Sequence, residues 1–348
     1  MLVFRYVDYF RLAAAILVVA IHTSPLLSLN ETSDFVLTRI LARVAVPFFF
    51  MATGFLLFGR ITTHKDAKEN KKRVYRFLHK TLLLYLAAII LYLPLNIYMG
   101  YFKENNTFLD FLEDVLFNGT VYHLWYLPAA VCGCFLTWIC MKKLGIKKTF
   151  VVTIVLYVIG IFGDSYYKCI SSIPIGYEFY KFLFQFFDYT RNGLFFAPIF
   201  FMMGTLAGKQ KYKLKTKLVW LLFLASMSLM VAEGLILHSY KIQRHDSMYF
   251  MLIPSMYFLF QLLISRQGNK ENEKIINTKE FRTVSLVIYI IHPWVIVGIR
   301  LVAKITRLTD ILVTNSMLHF MCVLIISALI GILYTIINDR IILVRYRN

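Results

Sequence analysis

The chain has 348 residues, of which 59% are hydrophobic and 16% charged, with a mean hydropathy of +0.65. That make-up excludes an ordinary soluble globular domain. A formal net charge of +19 would suit a nucleic-acid binder, but such a protein does not carry repeated apolar runs of membrane length, so the basic residues need a membrane explanation first.

A helix crosses the hydrocarbon core with about 20 apolar residues. Ten runs bounded by charge or turn residues meet or approach that length, at 8 to 28, 36 to 58, 80 to 99, 123 to 141, 149 to 163, 190 to 208, 217 to 238, 247 to 265, 283 to 302 and 316 to 337. The fifth is short. The expected fold is all-α, a polytopic membrane bundle of about ten transmembrane helices forming a single domain over 1 to 348. With the N-terminus inside, the cytoplasmic pieces run to Arg11, from Arg60 to Lys80, Lys142 to Lys148, Lys209 to Lys217, Arg266 to Arg282 and from Arg340 onward. These hold most of the 38 Lys and Arg, which places both termini on the cytoplasmic side. The 59 to 80 segment is expected to form a short basic helix along the anionic inner leaflet.

The first run begins with an Asp and two Arg and lacks a small-residue cleavage site, so it reads as a retained span rather than a signal peptide. Arg11 and His22 are eleven residues apart, which at about 100° per residue brings them to within roughly 20° of one face and about 16 Å apart. Arg11 alone also fits a snorkelling interfacial residue. Histidine is a side chain that can change charge near physiological pH, so His22, deeper in the span, suits a proton-handling step.

In the second run Arg39 and Arg43 are four residues apart and are expected to share a face, with Pro47 just beyond to kink the helix and free a carbonyl. Two guanidinium groups there suit a carboxylate or a phosphate; anchoring an outer loop is the simpler alternative. At the same outer level the topology places His123 and Trp125 of YHLWYLP, Asp164, Asp188, Arg191, His238, and His245 with Asp246 of HDSMY. His292, in IYIIHPW, falls near mid-membrane before Pro293. Glu233, inside the seventh run, requires a partner.

The five cysteines form neither a disulfide framework nor a metal spacing, and the expected metal content is none. Asn-x-Thr triplets at Asn30, Asn105 and Asn118 are short enough to arise by chance. No dinucleotide, Walker, HExxH or nucleophile-elbow motif is present.

The Arg11 to His22 spacing, Arg43 with VPFFFMATGF, HLWYL at 123 to 127 and SLVIYIIHPW at 285 to 294 together resemble the acyltransferase-3 family of membrane proteins. The resemblance implies ten core helices and transfer of an acyl group from cytoplasmic acyl-CoA to an extracytoplasmic hydroxyl. It would make His22 the catalytic base and Arg11 its partner on the donor path, with Arg43 and His123 shaping the site. ATGF departs from the family at Thr53, where Ser is usual.

Longer strings, GDS at 163 to 165, TRNGLFFAP at 190 to 198 and HDSMY at 245 to 249, are similar to the membrane domains of membrane-bound serine racemases of vancomycin-resistance clusters. That branch implies L-serine import through a bacterial plasma membrane for a fused cytoplasmic pyridoxal-phosphate racemase domain, whose lysine motif this sequence lacks. It implies no cofactor in this chain unless acyl-CoA is the donor. The implied partners are membrane lipid and L-serine or another small hydroxyl-bearing substrate, with no nucleic acid. The mixed-sign set Arg39, Arg43, Asp164, Asp188, Arg191 and Asp246 suits an amino-acid zwitterion.

Overall fold

The computed structural model describes residues 4–59, 67–101, 108–210, 214–265 and 279–345. Among them every regular element is helical. The principal helices are α1 (Arg5–Thr23), α2 (Glu31–Leu57), α3 (Ala67–Tyr98), α4 (Tyr126–Phe162), α5 (Ala197–Lys209), α6 (Thr216–Ser239), α7 (Leu252–Ser265), α8 (Lys279–Thr306) and α9 (Ser316–Arg345). Seven of them are long and apolar enough to cross a membrane, and α7 is a shorter apolar helix.

The predicted fourth and fifth spans are both in α4. Its 37 residues would reach about 55 Å, nearly twice the hydrocarbon core. Gly145 breaks it with φ 75° and ψ 171°, a conformation open to glycine and costly for other residues, between Lys142 and Lys148. One helix is thereby divided into two apolar segments with a basic corner.

Three boundaries differ from the sequence expectation. Residues 67 to 80 are the first turns of α3 rather than a separate surface helix, while 60 to 66 lie outside the described residues. Helix α5 begins only at Ala197. The preceding Asn192 side chain accepts from the Leu194 and Phe195 amides at 2.9 and 3.1 Å and donates to the Tyr189 carbonyl, a local turn that competes with helix. Helix α7 begins at Leu252 rather than 247, because the Ser247 and Met248 amides are taken by a side chain from another loop.

Helix α2 is irregular: a π stretch over Phe35–Ile40 is followed by a 3₁₀ stretch over Leu41–Val44. The expected shared face of Arg39 and Arg43 assumed regular α spacing, and that ladder is absent here. Arg39 is exposed, Arg43 is buried, and Arg43 Nε donates to the Arg39 carbonyl at 3.4 Å.

Two compact units share the chain. The first comprises Met1–Phe48, Leu214–Val231 and Pro254–Asn348; the second Phe49–Lys213 and Ala232–Ile253. In the first, Ala15, Val19 and Ala20 of α1 pack with Ile288, Val295, Ile296 and Ile299 of α8 and with Phe320 and Val323 of α9. The loop after α1 is tied down by Ser28, whose hydroxyl lies 2.8 Å from that of Ser316, and by Asp34, which accepts from the Leu26 amide at 2.9 Å. In the second unit α2 and α5 approach backbone to backbone. A Cβ added at Gly54 would lie 2.1 Å from the Phe201 carbonyl oxygen, and one at Gly204 2.0 Å from that of Met51. Small residues at such a crossing let membrane helices gain van der Waals contact where lipid supplies no hydrophobic drive. Thr53, the departure from SGF, uses its hydroxyl to donate to the Phe49 carbonyl at 2.9 Å.

Candidate functional site

The expected site residues are divided between the units. Arg11, His22, Arg39, Arg43 and His292 are carried by the first; His123, Trp125, Asp164, Asp188, Arg191, His245 and Asp246 by the second.

In the first unit the lower end of α1 holds an ion cluster. Asp8 is 1% exposed and receives both Nε and Nη2 of Arg282 at 2.7 and 2.8 Å, with Arg11 Nε 3.4 Å away. The bidentate geometry is the strong form of such a pair. Sequence reasoning assigned Arg11 toward His22 and passed over Asp8; the i, i+3 spacing of Asp8 and Arg11 was the available signal. Arg282 was assigned to a cytoplasmic loop but lies in the first turn of α8.

His22 occupies the last turn of α1, and its ring stacks on His292 of α8 with centroids 5.4 Å apart and 23° between planes. His292 is fully buried, and its Nδ1 lies 3.0 Å from both the Ile288 and the Tyr289 carbonyl oxygens. Two acceptors fix Nδ1 as the protonated nitrogen, which leaves the lone pair on Nε2 in the neutral ring. Pro293 explains the arrangement: lacking an N–H, it leaves the Tyr289 carbonyl without its helical donor, and the neighbouring imidazole supplies one.

In the second unit the turn after α4 and the loop before α7 are joined by Asp164. This fully buried carboxylate accepts through Oδ1 from the Ser247 and Met248 amides at 2.7 and 3.0 Å and from Ser165 Oγ at 2.9 Å. Its own carbonyl accepts from the Arg244 amide. Oδ2 is buried without a hydrogen-bond partner among the described residues. Burial pushes the carboxyl up to about 6, against the opposing pull of these hydrogen bonds and of the Arg191 charge.

Arg191 lies over the rings of Tyr189 and Trp125, 4.4 and 5.3 Å from their centroids, and its Nη1 is 3.3 Å from Ser247 Oγ. His245 packs against the same Tyr189 ring at 4.4 Å, and Asp246 follows in the same loop. Asp164, Arg191, Trp125, His245 and Asp246 thus belong to one constellation, in which a ring-stacked guanidinium and a buried carboxylate are both tied to Ser247. Sequence reasoning missed Tyr189 and Ser247, whose roles depend on tertiary contacts.

His123 is 2% exposed and packs edgewise against Tyr92 and Tyr122. Asp188 is exposed and belongs to a different group, around Asn118. Glu233 has the partners its depth requires: the Tyr166 hydroxyl at 2.8 Å and the Phe250 and Met251 amides at 2.7 and 2.9 Å. Of the triplet asparagines, Asn30 caps the start of α2 by accepting from the Ser33 amide, and Asn105 lies outside the described residues. Among the described residues no group of three His, Cys, Asp or Glu is placed to hold a metal ion.

Seven apolar helices of 19 to 37 residues define a multi-pass integral membrane protein. The chain belongs to the acyltransferase-3 family, whose acyltransferase domain it matches over residues 4–336. It is similar to an amino-acid racemase of Enterococcus faecalis, 41% identical over 94% of this chain and 44% of the relative. It is also similar to a serine/alanine racemase of Enterococcus gallinarum, 34% identical over 92% of this chain and 44% of the relative. The chain therefore spans less than half the length of these curated relatives. No solved structure matches it.

Proposed function

We propose that this chain is the membrane part of a racemase-type protein and binds and imports L-serine for a cytoplasmic racemase part. The names of the relatives, serine/alanine racemase among them, and the coverage of under half their length support this reading. The observation that carries it is the Arg191 and Asp164 constellation. Arg191 offers a planar donor fork for a carboxylate, and Asp164 Oδ2 offers a buried acceptor for an ammonium. If the racemase part is of the vancomycin-resistance type that the GDS, TRNGLFFAP and HDSMY strings resemble, its D-serine product would enter a modified cell-wall precursor.

The test is uptake of labelled L-serine into proteoliposomes, comparing wild type with Arg191→Ala and His22→Ala. Saturable uptake that falls at least tenfold in Arg191→Ala supports import. Uptake equal to that of empty liposomes refutes it.

The His22 and His292 pair favours a second reading, O-acyl transfer from acyl-CoA to an extracytoplasmic hydroxyl with His22 as general base. Under this reading coenzyme A binds the detergent-solubilised protein, and His22→Ala abolishes transfer while leaving that binding intact. Absence of coenzyme A binding at high micromolar concentration removes it.

A further inference from the structure

The second unit contains an apolar groove that neither reading uses. It has a cavity volume of about 420 Å³ and is lined by Phe117, Cys132, Leu136, Phe186, Phe187 and Leu194, a size within the range of about 300–1,000 Å³ for small-molecule sites. Cys132 and Leu136 lie one turn apart, in the second and third turns of α4, so this wall runs inward from the end of a membrane-length helix. The other wall includes Phe117 against Phe187, centroids 5.0 Å apart and nearly perpendicular.

The residue following each of these two rings is polar, and there the chemistry changes. Asn118 Nδ2 lies 3.2, 3.2 and 3.1 Å from carboxylate oxygens of Glu113, Asp114 and Asp188. An amide has two N–H groups for these three acceptors. Tyr101 donates to the other oxygen of Asp114. Among the described residues none of the three carboxylates pairs with a Lys or Arg within 4.0 Å, although the charge of Arg244 acts on Asp188. In a chain of net charge +19 this is, among the described residues, a concentration of negative charge next in sequence to the lining of an oily groove. Partial desolvation and the neighbouring carboxylates hold both Glu113 and the surface Asp188 above the usual carboxylate range, so a cation arriving there is favoured.

We propose that this groove holds an acyl chain of a membrane lipid whose headgroup is cationic, with the headgroup amine or quaternary ammonium against Glu113, Asp114 and Asp188. The tail then lies along α4 against Cys132 and Leu136, and the head meets the carboxylates grouped around Asn118. An anionic lipid would bring phosphate to three carboxylates, and a zwitterionic lipid would gain the ammonium contact while placing its phosphate nearby. The proposal is independent of the function proposed above.

The experiment is native mass spectrometry of the full chain in detergent micelles titrated with three lipids of identical acyl chains: dioleoyl-trimethylammonium-propane, dioleoyl-phosphatidylcholine and dioleoyl-phosphatidylglycerol. The cationic lipid is expected to half-saturate one site at about a tenfold lower concentration than phosphatidylcholine, the effect of one charge-assisted contact. The double variant Glu113→Gln with Asp188→Asn keeps its acceptor oxygens and is expected to lose that preference. Leu136→Trp fills the groove and is expected to lower occupancy by the cationic lipid while leaving the carboxylates in place. Equal binding of all three lipids by the wild type overturns the proposal without reference to any variant. Full preference retained in the double variant, or undiminished occupancy in Leu136→Trp, overturns the assigned location.

Discussion

The His292 imidazole donates to the carbonyl that Pro293 releases, and it stacks on His22 at 5.4 Å. One side chain thereby repairs the backbone of α8 and sets the face against which His22 rests. His292→Phe preserves a ring for stacking but removes the imidazole donor to the Tyr289 carbonyl, which is expected to cost about 1–3 kcal/mol. Adding Pro293→Ala restores an amide donor and should recover most of that loss. Thermal unfolding in detergent of the two single variants and the double variant checks the coupling. Additive losses would show that the imidazole does not serve the released carbonyl.

A second prediction concerns the ion cluster of α1 and α8. Asp8 is buried and held by two bonds from Arg282, with Arg11 at a longer distance. Removing one partner of a buried pair leaves a charge without compensation. Arg282→Ala is expected to destabilise by on the order of 2 kcal/mol, less than for a fully enclosed pair because Arg282 is a third exposed and Arg11 stays near. Arg11→Ala should cost less than Arg282→Ala, and Asp8→Asn in the Arg282→Ala background should recover stability. Thermal shifts of these variants order the contributions; a larger loss for Arg11→Ala would reverse the assignment.

The helices were legible because about 20 apolar residues bounded by charge have few other uses. His22 was legible as a residue needing a partner for the same reason, since polarity in an apolar run carries a cost, whereas Asp164 and Arg191 were singled out only by the outer level the topology gives them. Their partners were not legible. Arg282 meets Asp8 across 274 positions, and Ser247 meets Asp164 across 83; no periodicity reports such pairings. Depth alone grouped Asp188 with Asp164, whereas Asp188 joins Asn118. The π and 3₁₀ stretches that separate Arg39 from Arg43 have no signature in hydrophobic spacing, and Asn192, which delays α5, reads as an ordinary polar residue until its three hydrogen bonds are seen.

Asp164 gives the protein a dependence on pH with a defined sign. Its folded value, about 6, is above the ordinary aspartate value of 3.8. The folded state therefore binds the proton more tightly than the unfolded chain. The associated stability is fully present below about pH 4 and is lost as pH rises through about 6, on the order of 3 kcal/mol in all. Asp164→Asn retains an oxygen for the Ser247 and Met248 amides but cannot titrate, so its melting temperature should be flatter between pH 4 and 7. A wild-type profile that rises across this window would contradict the assignment.

Glycine packing supplies a test in which one substitution has opposite outcomes at two places. At Gly204 a methyl group would lie 2.0 Å from the Met51 carbonyl oxygen, while at Gly298 nothing lies within 4 Å. Backbone cannot move aside as a flexible side chain can, so Gly204→Ala forces α2 and α5 apart and is expected to cost about 1–3 kcal/mol or more. Gly298→Ala meets open space inside α8 and removes conformational freedom from the unfolded chain. It should be neutral or stabilising by up to about 1 kcal/mol. Parallel thermal unfolding of the two variants decides between this account and a loose α2 to α5 contact. If Gly204→Ala were as benign as Gly298→Ala, the two backbones would not be in contact.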